Sequence, residues 1–287
     1  MKNALPDISI VTPSYNMLPY LPLCCASVRD QEVNHEHIVM DGGSTDGTVE
    51  WLEENRDALV FLSERDSGMY NALNKAIARA QGAIIGHLNC DEQYLPGILK
   101  YVKEFFESHP DVDFVAADFL VINPAGEFLA YRKSFQPRWQ YFFSNYLYTT
   151  TCTLFYRRKI LENCHFDESY RSIADVIFLY NVLRKGFRGF HVRKYASTFT
   201  YSGVNLSLDP ISAKEKARFN KSLPIWYQAL RPLFFVMFFV EKMLNGNYSE
   251  TAPLRYSIYS QQSPNKRLPI EVPNPGFRLK FKPVAAS

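Results

Sequence analysis

The chain has 287 residues, 47% of them hydrophobic, so it can bury a large core as one domain or two. Its formal net charge of +3 is too small to indicate nucleic acid as a partner. The five cysteines include no CxxC pair, which argues against a zinc site and is typical of a reduced, cytoplasmic chain.

Short apolar strands alternate with helical segments up to about residue 117. The predicted strands cover 8–11, 37–40, 59–62, 83–88 and 114–117, and the predicted helices cover 18–28, 48–54 and 68–80, with a fourth beginning at Pro96. Gly82 is expected to end the third helix. The alternation predicts an α/β fold with a Rossmann-like, mostly parallel sheet that has helices on both faces.

Three of the predicted strands are followed by polar clusters, at 12–16, 41–48 and 89–92. In parallel sheets of this class, ligands bind beyond the carboxyl ends of the strands. We therefore expect the three clusters to meet at one edge of the sheet and to form a binding site there.

Each polar segment has an ordinary alternative when it is taken alone. The oxygens at 89–92 suit Mg²⁺ or Mn²⁺, but acidic residues also begin turns. The glycine loop at 41–48 leads into a helix, yet it is neither GxGxxG nor a P-loop, which disfavours a dinucleotide oxidoreductase and a P-loop ATPase. Asp175 precedes an apolar run and could be the N-cap of a helix over 174–183.

The apolar segment from Leu223 to Leu244 is shorter in its purely apolar part than the roughly 20 residues of a membrane-spanning helix. Pro232 is expected to begin a helix there. This helix could pack on the α/β domain as part of its core, or it could lie in a bilayer interface with Trp226 and Tyr227 at the headgroups. We favour the interfacial interpretation.

Taken together, five segments resemble the glycosyltransferases of family 2, in that family's order and spacing. They are Val11–Asn16, His37–Thr48, Ser63–Lys75 with Gly82, Leu88–Glu92, and Phe166–Asp175, and the resemblance covers about residues 7 to 205. It implies the GT-A fold, with a catalytic domain at 1–208 divided into a nucleotide-sugar half at 1–100 and an acceptor half at 101–208. We expect a helical apolar extension at 209–248 and an extended or partly disordered tail at 249–287.

The resemblance also assigns roles to individual residues. Contacts with the nucleotide and the sugar are implied for Thr12, Pro13, Tyr15, Asp41, Asp66, Asn71 and Asn89. Asp91 and Glu92 are the implied ligands of Mg²⁺ or Mn²⁺, and Asp175 is the implied catalytic base. Tyr201 to Val204 matches a loop near the acceptor. Asn89 and Glu92 depart from the aspartates common in the family, and Ile177 stands where a second acid is frequent.

The implied reaction moves a sugar from a nucleotide-diphosphate sugar, most often UDP-linked, to an acceptor hydroxyl with inversion. The acceptor would be a saccharide or a lipid-linked saccharide in surface polysaccharide or glycolipid synthesis, and no nucleic acid is expected. A cytoplasmic protein, peripheral on the inner face of the cell membrane, would fit. Two alternatives stay open, a non-catalytic sugar-nucleotide-binding subunit and a nucleotidyltransferase.

Overall fold

The computed structural model describes residues 5–143, 149–202 and 210–279. The strands in these ranges are β1 (Ile8–Ser14), β2 (His35–Asp41), β3 (Val60–Ser63), β4 (Ile84–His87), β5 (Glu92–Tyr94), β6 (Phe114–Ile122), β7 (Phe128–Arg132), β8 (Leu154–Arg157), β9 (Gly189–Thr200), β10 (Leu254–Ser260) and β11 (Ser263–Val272). The α-helices are α1 (Leu21–Arg29), α2 (Thr48–Glu54), α3 (Met69–Arg79), α4 (Ile98–Ser108), α5 (Arg158–Asn163), α6 (Ala174–Arg184), α7 (Pro210–Lys221) and α8 (Ile225–Leu244). Two short 3₁₀ helices cover Trp139–Phe143 and Thr151–Thr153.

One nine-stranded sheet forms the centre of the fold, in the order β3-β2-β1-β4-β8-β6-β9-β5, with β7 paired to β6. The first four strands are parallel neighbours, as the alternation of strands and helices in the sequence predicts. Beyond β4 the sheet is mixed, because β8 runs antiparallel to both β4 and β6. The α/β class is confirmed.

The apolar pattern of the sequence explains the two hydrophobic layers on either side of this sheet. All seven residues of β1 are buried, as expected for a central strand covered on both faces. Helix α4 buries the five apolar residues that share one of its faces, Ile98, Leu99, Val102, Phe105 and Phe106. Apolar packing of this kind holds the strands of the sheet in place, and the ends of the strands determine where the loops of the site begin.

Gly82 does not end α3, contrary to the sequence-based expectation. The helix ends at Arg79, and Ala80 occupies the C-cap position. A Cβ atom added to Gly82 would lie 2.5 Å from the backbone nitrogen of Ser9 and 2.6 Å from the carbonyl carbon of Ile8. Glycine is therefore required because the segment after α3 passes directly against the backbone of β1.

Pro232 lies inside α8, so the prediction that it begins the helix is wrong. The helix starts at Ile225 with Pro224 at its N-cap position, and it is 20 residues long. In the part of the chain that the structure describes, no single helix is long and apolar enough to cross a membrane. Helices α7 and α8 satisfy the length and composition criteria only as a pair, bent by 119°.

The tail that was expected to be extended or partly disordered contains the antiparallel hairpin β10–β11. Leu254, Tyr256 and Ile258 alternate along β10 and are buried against the domain. The Arg267 guanidinium of β11 donates to both carboxylate oxygens of Asp30, at 2.5 and 2.8 Å, and to the carbonyl of Tyr94 at 3.0 Å. The many polar residues between the apolar ones concealed this alternation in the sequence.

We expect Gly82→Ala to destabilise the fold by about 1–3 kcal/mol, because the new methyl group would meet backbone atoms of β1 that cannot rotate away. Urea denaturation measures this change. Gly276→Ala is the matched control, since a Cβ atom at Gly276 meets nothing within 4 Å. Equal free energies of unfolding for the two variants would contradict the proposed reason for glycine at position 82.

Candidate functional site

The three polar clusters meet at one edge of the sheet, as the sequence analysis predicted. Strand β1 lies between β2 and β4, and its last residue Ser14 pairs with Asp41. Beyond the strands, the Gly42 N–H donates to the Ser14 carbonyl at 2.8 Å, and the Cys90 thiol donates to the Pro13 carbonyl at 3.0 Å. The carboxyl ends of three adjacent parallel strands thus form one surface.

Asp41 organises the glycine loop with its carboxylate. The carboxylate accepts hydrogen bonds from the N–H groups of Gly43 and Ser44 and from the hydroxyls of Ser44 and Ser63, all within 3.0 Å. Three of these donors bond Oδ2, and only the Ser44 hydroxyl bonds Oδ1, so Oδ1 keeps one of the four lone-pair sites of the carboxylate. The contact between Asp41 and a nucleotide that the family resemblance implies stays a prediction.

Tyr15 and Asp66 approach each other across Gly42. A Cβ atom on Gly42 would lie 3.0 Å from Asp66 Oδ2 and 3.3 Å from Tyr15 Cδ2. Tyr15 is 63% exposed although it follows a completely buried strand. An exposed aromatic ring beside a carboxylate is a suitable surface for a planar polar ligand, so the predicted roles of these two residues remain reasonable.

Thr12 and Pro13 lie beneath this surface. Both residues are buried, and the Thr12 hydroxyl is hydrogen-bonded to His37 Nε2 at 2.9 Å. Burial lowers the pKa of His37 to about 3, so this ring is neutral at physiological pH. A direct contact between the Thr12 side chain and a nucleotide stays a prediction and requires that the side chain first be uncovered.

Asn71 is held by Glu168, a residue that the sequence analysis did not single out. The Asn71 amide donates to Glu168 Oε2 at 2.8 Å, and the Asn74 amide donates to Glu168 Oε1 at 2.9 Å. The Asn74 amide also bonds the backbone of Phe166 in both directions. Glu168 therefore ties α3 to the chain segment that leads to Asp175, a contact that no local pattern reveals.

Asn89 is paired with His87, which ends β4. The two side chains approach to 2.9 Å between His87 Nε2 and Asn89 Oδ1. Burial lowers the pKa of His87 to about 4, so the neutral ring donates its Nε2–H to the amide oxygen. This orientation directs the Asn89 amide group and leaves its Nδ2 hydrogens for other partners.

Asp91 and Glu92 behave differently although they are neighbours. Glu92 is completely buried in β5, where its Oε2 accepts the Asn89 N–H at 2.8 Å and its Oε1 has no partner in the described structure. Asp91 retains partial exposure and precedes the strand. Burial raises the pKa of both carboxyl groups, and the charge of Asp91 raises that of Glu92 further. Metal ligation by Asp91 and by Glu92 stays a prediction, and of these two residues Asp91 is the one that is partly exposed.

The fit of a divalent cation can be judged from these two carboxyl groups. The described residues include no cluster of three or more side chains with ligating groups. An ion bound here would therefore take one carboxylate from Asp91 and complete its shell with water and substrate oxygens, which is common for Mg²⁺. The raised pKa of Asp91 shows a carboxylate that a nearby positive charge would stabilise.

Asp175 lies in the first turn of α6 and is not its N-cap, a position that Ile173 occupies. The Tyr70 hydroxyl donates to Asp175 Oδ1 at 3.1 Å. Burial raises the pKa of the Asp175 carboxyl, while the hydrogen bond from Tyr70 and the nearby backbone lower it. A carboxylate whose pKa is raised by burial is suited to accept a proton, while its place in the first turn of α6 favours the charged form.

A chain of aromatic contacts connects Asp175 with the end of β4. The Phe166 ring stacks on Phe178 of α6 at 4.3 Å and on Tyr70 at 5.8 Å between centroids. The His87 ring meets the same Phe166 edge-on at 6.4 Å. These contacts link the candidate base, through Tyr70 and Phe166, to His87 at the end of β4. Gly203 and Val204 of the predicted acceptor loop lie outside the described residues.

The match to a family model agrees with this arrangement. The model of glycosyl transferase family 2 matches residues 9–164, which include all of β1 except Ile8, the glycine loop, α3, and Asp91 and Glu92 after β4. The chain therefore belongs to glycosyl transferase family 2.

Curated relatives give the family match more detail. The chain is 39% identical over 111 residues to a putative teichuronic acid biosynthesis glycosyltransferase of Bacillus subtilis, which covers 37% of this chain and 44% of that protein. It is 30% identical over 124 residues to a PGL/p-HBAD biosynthesis glycosyltransferase of Mycobacterium bovis, covering 41% and 48%. The chain thus spans less than half the length of these relatives.

Solved structures are similar in fold. The chain matches residues 1–349 of S. aureus TarS in complex with UDP-GlcNAc with a TM-score of 0.62 and 20% identity, covering 83% of this chain and 72% of that one. It matches a mannosyltransferase of Pyrobaculum calidifontis in complex with GDP-Man and Mn²⁺ with a TM-score of 0.55 and 14% identity, covering 87% and 77%. These similarities confirm the GT-A fold.

Proposed function

We propose that the protein transfers a sugar from a nucleotide-diphosphate sugar, UDP-linked by preference, to an acceptor hydroxyl with inversion at the anomeric carbon. The observation that carries the proposal is the buried carboxylate of Asp175, which accepts a hydrogen bond from Tyr70, whose ring is linked through Phe166 to His87 at the end of β4. The family of the chain, together with the biosynthetic roles in the names of its relatives, supports surface polysaccharide or glycolipid synthesis.

The reaction follows from the roles of two groups. Asp175 takes the proton of the acceptor hydroxyl while the hydroxyl oxygen bonds to the anomeric carbon of the sugar. The bond from that carbon to the diphosphate breaks in the same step, and the electron pair leaves with the nucleotide diphosphate. A single displacement of this kind inverts the configuration. Tyr15 and Asp66 would hold the nucleotide, and Asn71 and Asn89 would orient the sugar and the phosphates.

A divalent cation at Asp91 would stabilise the negative charge that develops on the diphosphate. The identity of the ion is not fixed by the donor set, since both Mg²⁺ and Mn²⁺ accept carboxylate and phosphate oxygens. The nucleotidyltransferase alternative is disfavoured because the chain belongs to a glycosyltransferase family. Asp91 and Asp175 are both present, which argues against the alternative of a non-catalytic binding subunit.

We expect incubation with a panel of UDP-glucose, UDP-galactose, UDP-GlcNAc and GDP-mannose plus Mn²⁺ to release UDP or GDP from at least one donor. Ion-exchange chromatography would separate the nucleoside diphosphate from any pyrophosphate or monophosphate. The anomeric configuration of the sugar product, read by proton NMR, tests inversion. Formation of UTP or GTP and a sugar 1-phosphate from the donor when pyrophosphate is added would overturn the proposal in favour of nucleotidyl transfer, and retained configuration would overturn the single displacement.

Two substitutions are expected to separate the roles of the carboxylates. Asp175→Asn should lower kcat by about 10²-fold or more and leave the Kd of UDP with Mn²⁺ nearly unchanged. Asp91→Asn should abolish the increase in UDP affinity that Mn²⁺ produces in the wild-type protein. Isothermal titration with UDP, with and without Mn²⁺, gives the binding data.

Asp57→Asn is the matched control for both substitutions. It removes the same charge, and Asp57 is exposed. An Asp175→Asn variant that lost UDP binding and kept its turnover would contradict the role of base. An Asp91→Asn variant with an unchanged response to Mn²⁺ would contradict the metal site.

We also propose that α8 docks on an anionic lipid surface. Helix α8 packs on the domain through Tyr227, Phe234 and Phe238. Its other sides leave a broad apolar surface in solvent, made of Ile225, Trp226, Leu230, Leu233, Phe235, Val236, Met237, Val240, Met243 and Leu244. Monomeric soluble proteins rarely expose apolar patches of this extent, so the surface is suited to a partner.

The charges of α7 and α8 favour lipid as this partner. Lys214 and Lys221 are exposed on α7. The one acidic residue of each helix faces the domain, because Glu215 is buried and Glu241 is hydrogen-bonded to Tyr141. An apolar helix surface beside exposed basic residues is the pattern of helices that lie in the interface of an anionic bilayer. Lipid docking would place the site close to a lipid-linked acceptor.

The protein is expected to sediment with vesicles that contain one-third phosphatidylglycerol, and less with pure phosphatidylcholine. The double substitution Leu233→Gln with Val236→Gln should weaken binding roughly tenfold or more, because two apolar side chains then no longer enter the interface. Val60→Gln is the control, since Val60 of β3 is 54% exposed and Leu233 is 53% exposed.

Wild-type protein that sediments with neither vesicle would overturn lipid docking. A dimer that the double substitution dissociates in analytical ultracentrifugation would instead assign the surface to a second copy of the chain.

A further inference from the structure

We infer that Tyr70 is a positioning residue for the proposed base, holding one carboxylate oxygen of Asp175 so that the other is presented to the acceptor hydroxyl. The inference rests on the proposed function of Asp175. It concerns a residue that the sequence analysis did not assign to the site and that makes its contact across 105 positions of the chain.

Tyr70 is buried and held by an aromatic contact and by its hydrogen bond to Asp175. The residue is the second of α3 and is 3% exposed. Its ring stacks on Phe166 with an angle of 14° between the ring planes, and Phe166 stacks in turn on Phe178 of α6. The hydroxyl of Tyr70 thus reaches Asp175 from a rigid aromatic stack that also contacts the helix carrying Asp175.

The hydrogen bond has one possible direction at physiological pH. Burial, followed by the negative charge of Asp175, raises the pKa of Tyr70 well above its usual value. The hydroxyl therefore stays protonated and donates to the ionised carboxylate. A carboxylate bonded through Oδ1 loses rotational freedom, and its second oxygen acquires a fixed direction. Tyr70 itself meets no reacting atom in this arrangement, so its role is to position the base.

Other titratable groups also face Asp175. Tyr156 of β8 packs edge-on against Phe178 at 5.4 Å, and burial, followed by the charge of Asp175, raises the pKa of its hydroxyl. Lys216 of α7 lowers the pKa of Asp175, and the buried Glu215 accepts hydrogen bonds from the N–H groups of Arg171 and Ser172 just before α6. Among the described side chains, Tyr70 is the one whose hydroxyl bonds the carboxylate directly.

The test compares Tyr70→Phe with Tyr156→Phe in the full chain. Both substitutions keep the ring and remove a buried hydroxyl, but only the first removes a hydrogen bond to Asp175. The pKa of Asp175 is measured by the ¹³C shift of its carboxyl carbon, assigned by comparison with Asp175→Asn. We expect Tyr70→Phe to raise this pKa by roughly one pH unit, because a hydrogen bond to the charged form is lost. Tyr156→Phe should change it much less.

The second readout is the pH profile of UDP release from UDP-GlcNAc, or of GDP release from GDP-mannose. A base acts in its deprotonated form, so a higher pKa of Asp175 moves the acid limb of the profile of kcat to higher pH. Tyr70→Phe should also lower kcat on the plateau and leave the Kd of UDP with Mn²⁺ unchanged. A purely structural role would lower activity and leave the acid limb in place.

The outcomes separate the two hypotheses. An unchanged pKa of Asp175 in Tyr70→Phe, in protein with wild-type circular dichroism, overturns the positioning role whatever the activity shows. A raised pKa with an unmoved acid limb confirms the hydrogen bond but contradicts Asp175 as the base, and the proposed mechanism then fails. A raised pKa with a matching movement of the limb supports both.

Discussion

The hydrogen bonds that Asp41 accepts are the constraint on which the rest of the site depends. They join the end of β2 to the glycine loop and, through Ser63, to the end of β3. The adjacent backbone bonds from Gly42 to Ser14 and from Glu64 to Asp41 add β1 to the same unit. Loops that would otherwise move independently are thus held in one arrangement, and Tyr15 and Asp66 are presented from it at the surface.

Burial of carboxyl groups is the second physical property that distinguishes the site. Asp91, Glu92 and Asp175 all have raised pKa values because low-polarity surroundings disfavour their charged forms. Such burial lowers stability, and proteins retain it mainly where chemistry requires it. Here the same physical effect would serve two purposes, a stronger attraction for a cation at Asp91 and a readier acceptance of a proton at Asp175.

The sequence predicted the parts of the molecule that local pattern determines. The period of apolar residues located the strands and helices of the first half, and the polar strand ends correctly predicted a common edge. It could not predict contacts between distant segments, such as Glu168 with Asn71 or Tyr70 with Asp175, since neither follows from spacing. For the same reason it misjudged Gly82, whose requirement comes from the neighbouring strand β1. It also gave no indication that Glu92 is completely buried in β5.

The hairpin β10–β11 has a consequence for how the protein folds during synthesis. Gln93, two residues after Asp91, exchanges two hydrogen bonds with the backbone of Tyr259, 166 positions later, and Arg267 reaches Asp30 across 237 positions. Contacts of such separation form only after the hairpin itself has left the ribosome. Strand β5, which follows Asp91, therefore gains these hydrogen bonds only once β10 and β11 have been synthesised, after the strands of the first half of the sheet.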